Sequence, residues 1–259
     1  MILDEILTRK RKEVEEAKEK LSGEEIIRKT VGLPRRRDFK SAIVKPGQIS
    51  LIAEIKKASP SRGIIREDFD PVEIARIYQD SGAQALSVLT DQQFFKGSLQ
   101  YLEQVRKVTT IPILRKDFII DDYQIYQSFL AGADAVLLIA AVLSKDKIAS
   151  LSSIADGLGM SSIVEIHSAE DLSKIEKLNI QIVGINNRDL ASFKTDFGTT
   201  ERLIKLLPKD KLIISESGIK TSQDVKRLKN LGVTAVLIGE VFMASADISG
   251  KIKEIMRGV

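Results

Sequence analysis

The chain has 259 residues, of which 43% are hydrophobic, 29% charged and 5% aromatic. This balance is typical of a globular protein and excludes disordered, collagen-like and low-complexity chains. The sequence contains no cysteine and a single histidine, His167. Disulfides, thiolate metal centres and cysteine nucleophiles are therefore excluded, and a transition-metal site is disfavoured. Lys, Asp, Glu, Ser, Asn and backbone amides must supply any chemistry.

No segment is apolar enough to span a membrane. The longest apolar run, residues 135–143, is far shorter than the roughly 20 residues that a membrane-spanning helix needs. The N-terminus is charged throughout and lacks the apolar region of a signal peptide. We therefore expect a cytoplasmic protein with no membrane partner.

The net charge of +4 is concentrated at the N-terminus, because residues 1–45 contain 13 Lys and Arg against 9 Asp and Glu. The basic clusters at 9–12 and 35–37 are compatible with nucleic-acid binding or with attraction of an anionic substrate. However, acidic residues such as Glu13 and Glu16 interleave with the first cluster, and no aromatic residues do. These features favour a solvated helix face, and we expect no nucleic-acid partner.

The first 45 residues predict a helical extension. Apolar residues recur there at roughly helical spacing, namely Ile2, Leu3, Ile6, Leu7, Val14, Ala17 and Leu21. Ser22 and Gly23 are expected to end this helix, and a second short helix is expected over residues 24–29.

After Gly47, short β-branched segments alternate with longer amphipathic stretches. The short segments predict strands at 50–55, 85–89, 111–114, 135–139, 162–166, 182–185, 212–215 and 235–238. The stretches between and after them predict helices at 71–81, 98–107, 122–131, 145–158, 169–178, 199–207, 222–231 and 248–256. Asp70 before Pro71 is typical of a helix N-terminus. The segments SGAQALSVL, AGADAVLLI and LGVTAVLIG repeat a glycine helix end followed by an apolar strand.

Strands that alternate with helices run parallel, because each crossover returns the chain to the same end of the sheet. Eight such units in about 210 residues predict an α/β fold, a closed (β/α)8 TIM barrel. A doubly wound open sheet is the alternative, but the turn after the first strand reads KKASPSRG rather than GxGxxG. No linker-like stretch divides the chain. We therefore predict a single domain over residues 1–259, in which residues 1–45 form the N-terminal helical extension.

Charged and amide side chains stand at the predicted strand ends, where the active site of such a barrel lies. They are Glu54, Lys56, Arg115, Lys116, Asp117, Glu165, Asn186, Asn187, Arg188, Glu216 and Glu240. Any one of them alone is more simply a salt bridge at the rim. Carboxylates and lysines that converge from several strands shift each other's pKa and can act as acid and base. The group as a whole therefore predicts catalysis.

Glycine turns follow the last two predicted strands, as Glu216-Ser217-Gly218 and Gly239-Glu240. The corresponding loops of (β/α)8 barrels often bind phosphate through backbone amides and the N-terminus of a short helix. These turns predict a phosphorylated small-molecule substrate, although a glycine after a strand is often only a turn.

Two loops leave alternatives open. Ser59, Pro60 and Ser61 follow the first strand and form either an ordinary turn or a stiff loop of the site. Phe94 and Phe95 follow the second strand and either cover an aromatic ring or pack on the rim.

His167 lies two residues after Glu165 and has no second metal ligand near it in the sequence, so we expect a structural residue. Asp121 or Asp122 is expected to cap the following helix rather than to bind a cation.

Nine segments, in this order along nearly the whole chain, resemble the indole-3-glycerol-phosphate synthase family of tryptophan biosynthesis. They are FKSAI (39–43), IAEIKKASPS (52–61), SVLTD (87–91) with FFKGS (94–98), ILRKDFIID (113–121), VEIH (164–167), GINNRDL (184–190), SESGI (215–219) and LIGEVFM (237–243). The N-terminal extension also fits. The segments fall on the strand ends selected above.

The resemblance implies ring closure of 1-(2-carboxyphenylamino)-1-deoxyribulose 5-phosphate, with loss of carbon dioxide and water, to indole-3-glycerol phosphate. The enzyme class is a carbon–carbon lyase (carboxy-lyase), and neither a cofactor nor a metal is implied. By the same resemblance the catalytic residues are Lys116, Glu165, Lys56, Glu54, Asn186 and Glu216. The implied substrate-binding residues are Ser59, Pro60, Phe95, Arg188, Ser217, Gly218, Leu237, Gly239 and Glu240.

The resemblance makes Lys116 the acid at the substrate carbonyl and leaves open how Lys56, Glu54 and Glu165 divide the later proton transfers. The amides of residues 218, 239 and 240 are expected to hold the phosphate, assisted by the hydroxyl of residue 59 or 217. Residues 60 and 95 are expected to flank the aromatic ring. Arg188 is expected to orient the substrate carboxylate.

Two alternative functions remain at this point. One is another phosphate-binding barrel of the same pathway, such as phosphoribosylanthranilate isomerase or the tryptophan synthase α-subunit. The two Lys and two Glu at strand ends argue against both, because the isomerase needs only one acid and one base. The other is a non-enzymatic nucleic-acid-binding protein that uses the basic clusters, and it predicts strongly salt-dependent binding. We expect a monomer or a weak homodimer.

Overall fold

The computed structural model describes residues 2–189 and 194–259, so Leu190, the last residue of the GINNRDL segment, lies outside the described residues. Eight parallel strands form a closed barrel in chain order, in which the first strand pairs with both the second and the eighth. The strands are β1 Ser50–Ile55, β2 Ala85–Leu89, β3 Ile113–Lys116, β4 Ala135–Ile139, β5 Ser161–Ile166, β6 Ile182–Asn186, β7 Leu212–Glu216 and β8 Ala235–Ile238. The predicted (β/α)8 barrel is confirmed.

Helices precede the barrel and alternate with its strands. They are α1 Ile2–Lys20, α2 Gly23–Thr30, α3 Phe39–Ile43, α4 Pro71–Asp80, α5 Leu99–Val108, α6 Asp122–Ala131, α7 Lys145–Gly157, α8 Ala169–Ile175, α9 Gly198–Leu203 with a 3-10 turn Ile204–Leu206, α10 Ser222–Asn230, α11 Glu240–Met243 and α12 Ile248–Ile255. As predicted, Asp70 caps α4 by accepting hydrogen bonds from the amides of Val72 and Glu73. Asp121 likewise caps α6.

Strand side chains alternate between two apolar layers. The inner layer fills the barrel and includes Ile52, Leu114, Leu137, Ile163 and Ile214. The outer layer packs under the helices and includes Leu51, Val88, Val136, Val164 and Val236. Both layers are almost fully buried, as expected of a parallel sheet covered on both faces. The inward rows end in polar residues at the carboxyl ends of the strands, and this alternation directs those side chains into the barrel mouth.

The N-terminal extension packs against the barrel and its helices. In α1 and α2, Val14 and Ile26 pack with Tyr123 of α6, whose hydroxyl donates a hydrogen bond to the carbonyl of residue 17. In α3, Phe39 and Ile43 are fully buried and belong to the inner apolar layer. The extension therefore contributes directly to the barrel core.

Two arginines of the predicted basic cluster serve this packing. The Arg36 guanidinium lies over the Phe129 ring at 3.7 Å and donates a hydrogen bond to the carbonyl of the same residue. Arg37 donates one hydrogen bond to the carbonyl of Ile111 and another, through its backbone amide, to Asp134. Their basic groups thus fix the extension to the barrel.

Three local predictions were wrong. The third strand begins at Ile113 rather than 111, because Pro112 has no N–H to donate to the ladder. The strand also extends to Lys116, which was predicted to follow it. Ser22 does not end α1 but begins α2, where it forms a capping box with Glu25. Helix α8 ends at residue 175 rather than at 178.

Two short elements were not predicted. Residues 58–59 and 63–64 pair as a small antiparallel hairpin after β1, where the sequence indicated only a stiff loop. Helix α11 follows β8 directly and begins at Glu240. Both elements stand beside the barrel mouth.

None of the helices in the described part of the chain combines the length and apolar character that crossing a membrane requires.

Candidate active site

A cleft of about 1120 Å³ opens at the carboxyl ends of the barrel strands. All the residues predicted for catalysis or substrate binding line it: Glu54, Lys56, Ser59, Pro60, Phe95, Lys116, Glu165, Asn186, Arg188, Glu216, Ser217, Gly218, Leu237, Gly239 and Glu240. The barrel thus brings together residues that are spread over 187 positions of the sequence (54 to 240).

The register of the strands determines which side chains lie next to one another on the cleft floor. Glu216 of β7 pairs with Asn186 of β6 on one side and with Leu237 of β8 on the other. Gly184 of β6 lies under the Glu216 carboxyl group: a Cβ at this glycine would stand 2.5 Å from Glu216 Oε1. The glycine therefore makes the room that the buried carboxyl group needs.

Lys116 lies between two buried carboxyl groups. Its Nζ donates a hydrogen bond of 2.8 Å to Glu165 Oε2 and lies 3.0 Å from Glu216 Oε2. Burial by itself lowers the pKa of Lys116, but the attraction of Glu165 and Glu216 outweighs it and holds that pKa well above its usual value. The side chain therefore remains an ammonium group at neutral pH.

The two carboxyl groups differ in their affinity for protons. Burial raises the pKa of Glu216 to about 7, helped by repulsion from Glu165 and opposed by Lys116. Burial acts the same way on Glu165, but Lys116 and His167 together hold the pKa of Glu165 below its usual range. Among the described residues, Glu216 Oε1 has no hydrogen-bond partner, and Oε2 faces only the Lys116 ammonium group. At neutral pH the pair therefore combines one ionised carboxylate with one carboxyl group near its midpoint.

His167 is the fourth member of this cluster, where a purely structural residue was expected. Its Nε2 lies 3.3 Å from Glu165 Oε1, and its Nδ1 lies 3.9 Å from Asp171 Oδ2. Burial lowers the pKa of His167, but Glu165, followed by Asp171 and Glu216, outweighs burial and raises it. The imidazole therefore favours the ionised form of Glu165.

A second ammonium–carboxylate pair lies on the same floor. Lys56 Nζ donates a hydrogen bond of 2.5 Å to Glu54 Oε2. Glu54 is close enough to the first cluster to contribute to the raised pKa of Glu216. Gly239 packs directly on it, since a Cβ there would stand 2.7 Å from Glu54 Cβ. The floor of the cleft therefore holds two ammonium–carboxylate pairs side by side.

Glu240 joins two loops across the cleft. Arg188, which follows β6, donates a hydrogen bond of 3.1 Å to Glu240 Oε2 and one of 3.3 Å to Ser61 Oγ. Arg62, from the loop after β1, lies 2.9 Å from Glu240 Oε1. Burial raises the pKa of Glu240, but the two arginines outweigh it and lower that pKa. From the sequence, only the backbone amide of residue 240 was predicted to bind substrate, and Arg62 was not predicted at all.

The predicted phosphate corner has an unusual backbone. Ser217 and Gly218 both have left-handed conformations, with φ of 66° and 81°. Asn187 holds this turn, because its Nδ2 donates hydrogen bonds of 3.0 Å to the carbonyls of residues 216 and 217. Its Oδ1 in turn accepts from the amide and hydroxyl of Thr200. Asn187 was noted only as a polar residue at a strand end, and no sequence signal indicated these contacts.

An aromatic wall closes another side of the cleft. The rings of Phe95 and Phe118 are 6.2 Å apart between centroids and tilted by 40°. Phe118 was not among the predicted site residues, although it lies two positions after Lys116. Phe94 and Phe95 both pack against the inner apolar layer, but only Phe95 of the two lines the cleft.

In the described segments 2–189 and 194–259, no group of three or more His, Asp and Glu side chains is arranged to hold a metal ion.

Comparison with known proteins agrees with this arrangement. The family model for indole-3-glycerol phosphate synthase matches residues 3–255. A relative from Alkaliphilus metalliredigens named indole-3-glycerol phosphate synthase is 49% identical over 259 residues, which cover 100% of this chain and 99% of the relative. One of the same name from Caldanaerobacter subterraneus subsp. tengcongensis is 52% identical with the same coverage.

A solved structure of 3-hexulose-6-phosphate synthase from Salmonella typhimurium superposes with a TM-score of 0.63 at 17% identity, covering 81% of this chain and 97% of that one. This likeness concerns the barrel fold alone. The family match and the two relatives, in contrast, span the whole cleft. The chain therefore belongs to the indole-3-glycerol phosphate synthase family.

Proposed function

We propose that this protein, as a carboxy-lyase, closes the ring of 1-(2-carboxyphenylamino)-1-deoxyribulose 5-phosphate to give indole-3-glycerol phosphate, carbon dioxide and water. One observation carries the proposal: the Lys116 ammonium group lies between Glu165 and Glu216 on the floor of a cleft that also offers an aromatic wall and a glycine-rich corner. These features match the charge, the ring and the phosphate of that substrate.

Lys116 serves the first step. The aromatic carbon that bears the carboxylate attacks the open-chain ketone, and negative charge develops on the carbonyl oxygen. A positioned ammonium group stabilises that charge, and proton transfer to the oxygen becomes favourable as the charge grows. The raised pKa of Lys116 keeps the group cationic until then.

Loss of carbon dioxide follows, because the attack leaves a cationic ring that accepts the electron pair of the breaking carbon–carbon bond. The substrate carboxylate needs a cationic partner before this step. Lys56, on the cleft floor, and Arg188, beside the loop after β1, line the cleft and supply one each. Separation of Lys56 from Glu54, or of Arg188 from Glu240, accompanies this role.

Dehydration needs one group to protonate the leaving hydroxyl and another to remove a ring proton. Glu165 is ionised and suits the base. Glu54 is the second carboxylate in reach of the same space, and the Lys56 ammonium group paired with it donates the proton to the hydroxyl, which leaves as water. Glu216, with a pKa of about 7, exchanges protons readily at neutral pH and orients the substrate with Asn186.

The remaining residues position the substrate. The backbone amides of Gly218, Gly239 and Glu240 bind the phosphate, with the hydroxyl of Ser59 or Ser217 assisting. Phe95 and Pro60 flank the anthranilate ring. Leu237 supplies apolar surface beside Glu216.

The test is a fluorescence assay for indole formation with the purified chain and the carboxyphenylamino-deoxyribulose phosphate. We expect turnover by the wild type, with carbon dioxide released in equal amount. Lys116→Met should give no turnover. Its matched control is Lys107→Met, at an exposed position of α5, which should behave as the wild type. Absence of turnover by a folded wild type would refute the proposal, and phosphoribosylanthranilate is then the next substrate to test.

A further inference from the structure

Lys10 of α1 is buried although it belongs to the charged N-terminal extension. Its side chain is 4% exposed, and its Nζ lies 2.7 Å from Glu13 Oε2, 2.9 Å from Asp117 Oδ1 and 3.0 Å from Asp91 Oδ2. Glu13 belongs to the same helix, whereas the two aspartates follow β2 and β3. The proposed reaction assigns no part to this lysine.

The two aspartates border the cleft. Asp91 and Asp117 both line it. Asp91 organises the loop of residues 91–97, because its Oδ1 accepts a hydrogen bond from the Phe94 amide and its carbonyl accepts one from the Gly97 amide. That loop carries Phe95 of the aromatic wall.

Asp117 follows Lys116 directly and anchors the other half of that wall. Its Oδ1 accepts a hydrogen bond from the Phe118 amide, and its Oδ2 accepts others from Arg115 and Thr90. A single ammonium group from the extension therefore joins the loop that carries Phe95 to the strand end that carries Phe118.

Lys10 matters more to Asp91 than to Asp117. Asp117 keeps the Arg115 guanidinium, 2.9 Å away, as a second cation. Among the described residues, Asp91 Oδ2 has no partner other than the Lys10 ammonium group. Burial raises the pKa of Asp91, and Lys10 opposes that rise. Loss of the ammonium group would leave a buried carboxylate without compensation, and it would also remove the contact that joins Asp91 to Asp117.

We propose that Lys10 is a positioning residue of the cleft, which holds the loop of residues 91–97, and with it Phe95, against the carboxyl end of β3. Through this contact the N-terminal extension shapes the wall that receives the aromatic part of the substrate. The kinetic consequence rests on the proposed function, whereas the structural consequence does not.

The kinetic test compares Lys10→Met with Lys18→Met. Lys18 lies on the same helix and pairs with Asp121, away from the aspartates at issue, so it controls for weakened docking of α1. We expect Lys10→Met to raise KM about tenfold while kcat falls less than about threefold, because a misplaced ring contact weakens binding more than chemistry. We expect Lys10→Arg, which retains the cation, to recover part of the loss and Lys18→Met to leave KM unchanged.

A double variant guards against simple destabilisation. Lys10→Met with Asp91→Asn leaves no uncompensated carboxylate, and we expect it to recover the melting temperature of the wild type but not its KM. Recovery of both would show that Lys10 only neutralises a charge, and it would overturn the proposal. A wild-type KM in Lys10→Met, or an equal rise in Lys18→Met, would overturn it as well.

Hydrogen exchange provides a readout that needs no activity. In Lys10→Met, and in the double variant, the amides of Phe94 and Gly97 should exchange at least about tenfold faster, while in Lys18→Met they should exchange at the wild-type rate. Unchanged exchange in both Lys10 variants would refute the role of this residue even if the enzyme turns over. Faster exchange in a chain without turnover would refute the proposed function alone.

Discussion

Two buried lysines, Lys116 and Lys10, each lie between carboxyl groups from different segments of the chain, yet their surroundings differ. Around Lys10, Asp117 also accepts hydrogen bonds from Arg115, Thr90 and a backbone amide. Around Lys116, Glu216 Oε1 has no hydrogen-bond partner among the described residues, and Oε2 has only the Lys116 ammonium group, 3.0 Å away. Both clusters border the cleft, but Asp117 is fully engaged by protein partners, whereas Glu216 lies on the cleft floor with one oxygen unpaired.

This difference distinguishes an ion cluster that holds the fold together from the cluster that we propose to be reactive. In both clusters burial opposes the lysine charge and carboxylates restore it, so the pKa of each lysine is raised. Each cluster pairs a carboxyl group of lowered pKa with one of raised pKa, namely Asp117 with Asp91 and Glu165 with Glu216. The clusters differ because the pKa of Glu216 rises to about 7, near neutral pH. A group that titrates near neutral pH and has unused acceptors is suited to proton transfer.

Among changes to the carboxyl groups and their surroundings, the largest effect is expected from Glu165→Gln, which keeps the shape of the cluster around Lys116 but removes its ionised carboxylate. We expect kcat to fall by about 10²- to 10⁴-fold, because a general base is lost, with little change in melting temperature. Steady-state kinetics with the proposed substrate measure it. Glu170→Gln, at an exposed position of α8, is the control. Activity within threefold of the wild type would remove Glu165 from the chemistry.

Gly184→Ala should have the next largest effect, since its Cβ would collide with Glu216 Oε1. We expect a loss of stability of about 1 to 3 kcal/mol from overpacking and a fall in kcat of at least about tenfold as the carboxyl group moves away from Lys116. Gly157→Ala is the matched control, because no atom lies within 4 Å of its Cβ. Equal behaviour of the two variants in thermal unfolding and turnover would contradict the tight fit.

Glu216→Gln should change how stability depends on pH. The folded-state pKa of about 7 exceeds the ordinary value of 4.5, so the folded wild type binds more protons between those values and loses stability as pH rises through them. The glutamine variant lacks that loss. We expect its unfolding free energy, relative to the wild type, to rise by about 2 kcal/mol between pH 5 and pH 8 in urea titrations. A constant difference across that range would show that Glu216 does not titrate there.

His167→Gln should give the smallest effect. The folded-state pKa of His167 is raised, so its contribution to stability is present below the ordinary value of 6.5 and is lost as pH rises through the folded-state pKa. We expect the variant to be less stable than the wild type at pH 6, and we expect this difference to shrink as the pH rises. Asp171, Glu165 and Glu216 face the imidazole and are unchanged in this variant. A loss that grows with pH would contradict the assignment.

Much of the fold follows from the sequence, because the period of apolar residues and the glycine helix ends are local signals. The eight strands and the cap at Asp70 were predicted from such signals. The third strand was misplaced where a proline interrupts the ladder. The capping box at Ser22 was misread because Ser-Gly is compatible with both a helix end and a helix start.

The sequence predicted which residues line the candidate site, but it did not predict how their pKa values are shifted. Strand-end position identifies Lys116, Glu165 and Glu216 as neighbours, yet which carboxyl group keeps its proton depends on burial and on how close Lys116 and His167 lie to each. Lys10 and Asn187 act through contacts more than ten residues away in the sequence, and no periodic pattern encodes such contacts. Long-range charge pairs therefore require the assembled barrel.

Lys116 is proposed to act in the chemistry and Lys10 only in substrate positioning, and substrate binding and turnover by Lys116→Met and Lys10→Met, measured side by side, test this division most directly. We expect Lys116→Met to bind the carboxyphenylamino-deoxyribulose phosphate with an affinity close to that of the wild type and to form no indole product. We expect Lys10→Met to form the product at nearly the wild-type kcat but to bind the substrate less tightly. Turnover by Lys116→Met at a rate near that of the wild type would contradict the account.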